Sequence, residues 1–81
     1  MNPGIVEVDV HGMNRYQVKT RLDSLLRKSR GVYRIRVIHG YHGGTELKEF
    51  IRYEYGRSPL VKRVVPGMNE GITELVLKDY F

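Results

Sequence analysis

Residues 5–26 read IVEVDVHGMNRYQVKTRLDSLL, and the period of their apolar positions changes midway. Val6, Val8 and Val10 alternate with Glu7 and Asp9, the period-two pattern of a half-buried strand running from Ile5 to Val10. After His11, Gly12 and Met13 the pattern becomes helical. Asn14 is a good N-cap, and Gln17 three residues on completes a capping-box pair. Val18, Leu22, Leu25 and Leu26 then recur at helical spacing and define one apolar stripe, with the basic residues between them mostly off it. Gly31 is the expected C-cap.

The chain on either side extends this strand–helix start. Tyr33, Ile35 and Val37 alternate with Arg34 and Arg36, which predicts a second strand ending near Ile38. A glycine-rich loop, His39-Gly40-Tyr41-His42-Gly43-Gly44, follows, and Thr45 is placed to cap a second helix carrying Leu47, Phe50, Ile51 and, at its end, Tyr55. Gly56 and Pro59 stop that helix. Leu60 to Val65 reads as a third strand, 66–71 as a turn, and Ile72 to Lys78 as a fourth strand with Thr73, Leu75 and Leu77 on one face. The order βαβαββ predicts a two-layer α/β sandwich, a four-stranded mixed sheet with two helices packed on one face. Its strand–helix–strand units join parallel strands, and its last two strands form a hairpin. The pattern does not fix the order in which the strands pair. Tyr33 is assigned to the core, Tyr53 and Tyr55 to the helix surface.

With 81 residues the chain is read as a single domain, 1–81. The absence of cysteine excludes disulfides, zinc–thiolate clusters and a thiol nucleophile. The longest stretch free of charge, Val37 to Thr45, is nine residues, far short of the roughly 20 that cross a bilayer. The start, MNPGIVEVDV, has neither the basic nor the apolar region of a secretory signal, so the expected location is cytoplasmic. The net charge is +5, and its distribution is uneven: between Arg15 and Arg36 stand eight basic residues against one acid, Asp23. Such clustering on a folded domain is the electrostatic footprint of a polyanion binder, or else a solvated helix face that keeps the protein in solution.

Open α/β sheets bind ligands beyond the carboxyl ends of their parallel strands. Two loops fall at that edge. One holds Asp9, His11 and Gly12, and the other holds His39, Gly40, His42, Gly43 and Gly44, so all three histidines of the chain converge there. These residue types suit phosphodiester chemistry. Imidazole, which as a class titrates near neutrality, passes protons to and from attacking and leaving oxygens, and a carboxylate fixes its tautomer. Glycines let backbone N–H groups approach phosphate oxygens. Asp9, His11 and His39 are therefore the candidate catalytic residues. Gly12, Arg15, Arg36, Gly40, His42, Gly43 and Gly44 are the candidate phosphate contacts. Other readings stay open. His11-Gly12 could form a simple turn, Asp9 could accept loop N–H groups, and Tyr41 and His42 could be solvent-exposed. Asp9, His11 and His39 could hold a divalent metal ion, although no dense ligand motif is present. The loop has neither the lysine of a Walker A motif nor G-x-G-x-x-G spacing, so ATP and NAD sites are not supported. Tyr16, Tyr33, Tyr41, Tyr53, Tyr55 and Tyr80 are candidates for stacking on bases.

Val8-Asp9-Val10-His11-Gly12 resembles the L-D-x-H-G signature of Smr (small MutS-related) domains. Ile38-His39-Gly40 with Gly43-Gly44-Thr45 resembles their second motif, H-G-x-G or T-G-x-G. Asn69-Glu70-Gly71-Ile72-Thr73, leading into Leu75 and Leu77, resembles their closing G-G-x-G-x-T-x-x-x-L segment. The three stand in order over about residues 5–78. Val8 replaces leucine, the second loop is one residue longer, and Asn69-Glu70-Gly71 stands where two glycines often precede the third. The resemblance implies a fold similar to the C-terminal domain of bacterial translation initiation factor three. It also implies nucleic-acid binding and, in several members, nicking or endonucleolytic cleavage of DNA or RNA, with the motif positions carried onto Asp9, His11, Gly12, His39, Gly40 and Gly43 or Gly44. The expected function is thus nucleic-acid binding with phosphodiester hydrolysis, a divalent metal ion being a candidate cofactor. The alternative is a non-catalytic module docking on structured nucleic acid or ribosomal RNA. A protein–protein adaptor is a third reading, to be marked by an apolar binding surface.

Overall fold

A computed structural model describes residues 4–40 and 46–78. Along the chain lie β1 (Ile5–Asp9), α1 (Arg15–Arg27), β2 (Arg34–Ile38), α2 (Glu46–Gly56), β3 (Arg63–Pro66) and β4 (Ile72–Val76). They form one four-stranded sheet in the order β1-β2-β4-β3. β1 and β2 are parallel, with Val8 opposite Val37 and Asp9 opposite Ile38. β4 runs antiparallel to both β2 and β3. The mixed sheet expected from the periodicity is therefore present, and the pairing order that the pattern left open is set by β4 entering between β2 and β3.

Local chemistry explains the start of α1. The Asn14 side chain accepts from the Gln17 backbone N–H at 2.8 Å, and Gln17 Oε1 accepts from the Asn14 N–H at 2.9 Å. Val18, Leu22 and Leu26 of α1, with Ile51 and Tyr55 of α2, pack on Val8, Val10, Ile35, Val37 and Leu75 in one core. Both helices thus cover one sheet face, as the stripes predict. The other face carries Glu7, Arg36 and Glu74 in register across three strands.

Several boundaries differ from expectation. α1 ends at Arg27, its Lys28 cap N–H donating to the Leu25 carbonyl, so Gly31 is not the C-cap. Gly31 instead takes a left-handed φ of +82° in the turn closed by Val32 N–H on Ser29. β2 begins one residue after Tyr33, which lies half-buried with its ring filling the space a Gly4 side chain would occupy. β3 starts at Arg63 rather than Leu60, because the Val61 N–H turns back onto Ser58 and Leu60 stays exposed. β4 ends at Val76 rather than Lys78. Tyr55 is not a surface residue: one turn beyond Ile51, it is buried against α1 and donates its hydroxyl to Asp23 at 2.8 Å. Burial beside Asp23 pushes that phenol well above the ordinary tyrosine range. Among the described residues, no helix is long and apolar enough to cross a membrane.

Candidate functional site

The parallel pairing of β1 with β2 brings the two candidate loops to one edge. Asp9 closes β1 with its side chain on the face away from the helices. From there Asp9 Oδ1 accepts both the His11 backbone N–H, at 3.0 Å, and the His11 ring Nδ1, at 2.5 Å. Because a carboxylate only accepts, Nδ1 carries the proton, and Nε2 points away from Asp9 with its lone pair available. The pair sits in solvent, the His11 side chain 71% and the Asp9 side chain 51% exposed. The His11 hydrogen bonds hold the Asp9 carboxyl below its usual range.

Two glycines shape this corner. Gly12 takes a left-handed φ of +80° as the chain leaves His11, and Gly40 takes +75° as it leaves β2. A Cβ on Gly40 would stand 3.4 Å from the His11 Cβ, in ordinary van der Waals contact, so the two loops lie side by side. The Gly40 N–H, expected to face phosphate, is bonded to the Gly71 carbonyl at 3.0 Å beside the His39 N–H at 2.9 Å. Gly40 therefore acts here by taking a left-handed backbone that a side chain would strain, rather than by donating to a ligand.

His39 lies at the same edge but turns to the other side of the sheet. It continues the inward alternation of Ile35 and Val37, and it is buried. Its Nδ1 faces the Gly40 carbonyl at 2.9 Å and its Nε2 the Thr73 hydroxyl at 2.8 Å. A carbonyl can only accept, so Nδ1 donates to Gly40 and Thr73 donates to Nε2. The neutral ring ties β2 to β4. Burial, helped by the positive charges of Lys48 and Arg52, holds its pKa below the usual histidine value. The folded state thus binds the proton less readily than the unfolded chain. Its stability contribution is full above about pH 6.5 and is lost as pH falls from there toward the folded value. The thermal midpoint should accordingly drop between pH 7 and pH 5, and His39→Gln should flatten that acid limb. An unchanged slope in the variant would assign the pH dependence to other groups.

The remaining candidates are dispersed. Arg15 opens α1, pairs with Glu46 at 3.5 Å and lies over the Phe50 ring. Arg36 is on the helix-free face, bridging Glu74 at 3.3 Å and Glu7 at 3.5 Å. His42, Gly43, Gly44 and the Thr45 cap lie outside the described residues, as do Tyr41 and Tyr80. Asp9, His11 and His39 do not form a ligand set, since His39 turns its ring to the other sheet face with both nitrogens bonded. Among the described residues, no group of three His, Asp or Glu side chains could hold a metal ion.

Sequence reasoning missed three contributors. Thr73 orients His39, and the signal for it was its place in the third motif. Lys48 and Arg52 stand four residues apart on α2 and line a groove of about 310 Å³ with Gly67, Asn69 and Glu70. The basic segment between Arg15 and Arg36 also divides in two. Arg15, Lys19, Arg34 and Arg36 are held by acids, whereas Arg21, Arg27, Lys28 and Arg30 have no ion-pair partner among the described residues.

The Smr domain family model matches residues 8–74. The crystal structure of the Smr domain of Thermus thermophilus MutS2 is similar with a TM-score of 0.82 at 25% identity, over 91% of this chain and 99% of that one. No curated protein matches the chain in sequence. The sequence match takes in the Asp9–His11 corner, the β2 end beside it and the β4 residue that anchors His39, and with the matching sheet it shows that this chain belongs to the Smr domain family.

Proposed function

We propose that this domain binds nucleic acid at the exposed Asp9–His11 edge and hydrolyses a phosphodiester there. The observation that carries the reading is the 2.5 Å contact between Asp9 Oδ1 and His11 Nδ1, which leaves Nε2 directed outward as a base. Smr domains generally bind nucleic acid and some members cut it, which supports the same reading. In this scheme His11 Nε2 takes the proton of the attacking water as its oxygen bonds to phosphorus. The departing oxygen, on the far side of phosphorus, takes a proton from solvent as the P–O bond breaks, and the imidazolium, stabilised by Asp9, returns its own proton to solvent. Arg15, at the start of α1, would exchange Glu46 for an adjacent phosphate. His39 acts as a positioning residue through Thr73 and Gly71.

One observation favours a second reading, a binding module without turnover: the described residues offer a single exposed imidazole, and the Gly40 amide is already bonded. The deciding experiment is nicking of supercoiled plasmid and shortening of labelled RNA, in magnesium, in manganese and in EDTA, by wild type and by the Asp9→Ala/His11→Ala double variant. Cutting by wild type alone supports hydrolysis; no cutting above buffer establishes the module.

Binding itself should be strongly salt-dependent. If Arg21 and Arg27 of α1, with Lys28 and Arg30 just after it, each neutralise a phosphate, log affinity should fall with log salt at a slope of about −3. That is roughly a fifty-fold loss between 50 and 200 mM salt. A flat profile for both DNA and RNA would reject polyanion binding.

A further inference from the structure

We propose that the outer face of α1 carries a stacking site for an unpaired nucleobase, which makes single-stranded or looped nucleic acid the preferred partner. The inference rests on the nucleic-acid binding proposed above and names its substrate class. A groove of about 320 Å³ is lined by Met13, Tyr16, Gln17, Thr20 and Arg21. It begins two residues after His11 in the chain and runs along the first two turns of the helix.

The surface of the groove is almost wholly apolar, as a stacking platform is, and its polar groups stand at the margin. Tyr16 is 79% exposed, a large aromatic left in water. The other described tyrosines are occupied: Arg57 lies 4.8 Å over the Tyr53 ring and bonds its hydroxyl, Tyr55 is buried, and Tyr33 packs on Gly4. Tyr16 is therefore the most exposed tyrosine among the described residues, and no described cation lies over its ring, whereas Tyr53 has one face under Arg57. Around it stand groups that read base edges and backbone. Gln17 spends its carbonyl oxygen on the Asn14 N–H, which leaves its NH₂ to donate. Thr20 adds a hydroxyl, and Arg21 has no ion-pair partner among the described residues. A paired base inside a duplex has both faces covered and cannot stack on Tyr16, whereas a splayed base can.

The test uses a single-stranded oligonucleotide carrying 2-aminopurine, its hairpin-free complement and the matching duplex. Wild type should quench the 2-aminopurine fluorescence. Tyr16→Ala should abolish the quenching and weaken single-strand binding by roughly tenfold or more, with duplex affinity unchanged. Tyr16→Trp should restore both signals. Single-strand affinity equal to wild type in Tyr16→Ala, or equal losses on single strand and duplex, would overturn the proposal. So would a wild-type dimer in sedimentation that Tyr16→Ala converts to monomer without loss of quenching, since a second copy would then be the occupant. The catalytic reading fails separately: wild type that quenches but does not cut leaves the stacking site standing. Wild type that cuts while Tyr16→Ala binds single strands normally removes the stacking site alone.

Discussion

His11→Ala should lower strand cleavage by about 10²- to 10⁴-fold, the usual contribution of a positioned general acid–base, while binding stays near the wild-type level. The ring is an exposed group at the strand edge, so its removal leaves the core intact and the thermal midpoint close to wild type. Asp9→Asn should produce a loss of similar order by a different route. Asp9 Oδ1 receives the ring Nδ1 and the backbone N–H of His11 together. Asparagine Oδ1 can still accept both N–H groups, but the neutral amide no longer stabilises the positive charge that builds on the imidazole as it takes a proton. Asp9 is held charged below the ordinary carboxylate range, so it remains ionised throughout an assay near neutrality. Cleavage by either single variant within threefold of wild type would show that the dyad does not carry the chemistry, that factor being about 0.6 kcal/mol of barrier.

Glu74→Ala should cost about 3 kcal/mol of folding stability, because it removes a buried carboxylate from between two guanidinium groups. The Glu74 side chain is only 6% exposed, with Oε1 on Arg34 Nη1 at 2.5 Å and Oε2 on Arg36 Nε at 3.3 Å. Arg34 Nε is itself buried without a hydrogen-bond partner, so Glu74 is its main compensation. For a domain of this size the loss corresponds to a fall of roughly 10–20 °C in thermal midpoint. Glu74→Gln should be intermediate. In a double-mutant cycle, Arg36→Ala should cost less in the Glu74→Ala background than alone. A midpoint within a few degrees of wild type in Glu74→Ala would show that the network contributes little. The same geometry places Arg36 in stability rather than in phosphate binding: Arg36→Ala should alter the melting curve and leave the salt slope of binding unchanged.

The legibility of the fold varied with how local its cause was. The capping box of Asn14 and Gln17 and the Val18–Leu22–Leu26 stripe are written in a few neighbouring residues, and they appear as read. Gly31 misled because the last turn of α1 closes through the Lys28 N–H, and the glycine serves the next turn instead. Tyr55 misled because an aromatic at a helix end has two plausible sides. Only the facing Asp23 on α1, far along the chain, gave its hydroxyl a buried partner.

By itself, the sequence determined which segments alternate and which recur at helical spacing, that β1 and β2 run parallel, and hence that Asp9 and His11 share an edge with His39 and Gly40. Those properties follow from side-chain periods and short connections. The tertiary structure alone decided what each of these residues does there. Period-two alternation sends Asp9 to the open face and His39 into the core, and β4, entering between β2 and β3, supplies Thr73 to the imidazole and Glu74 to the arginines. Such partners lie more than thirty residues apart, and no local pattern specifies which of them meet until the strands pair.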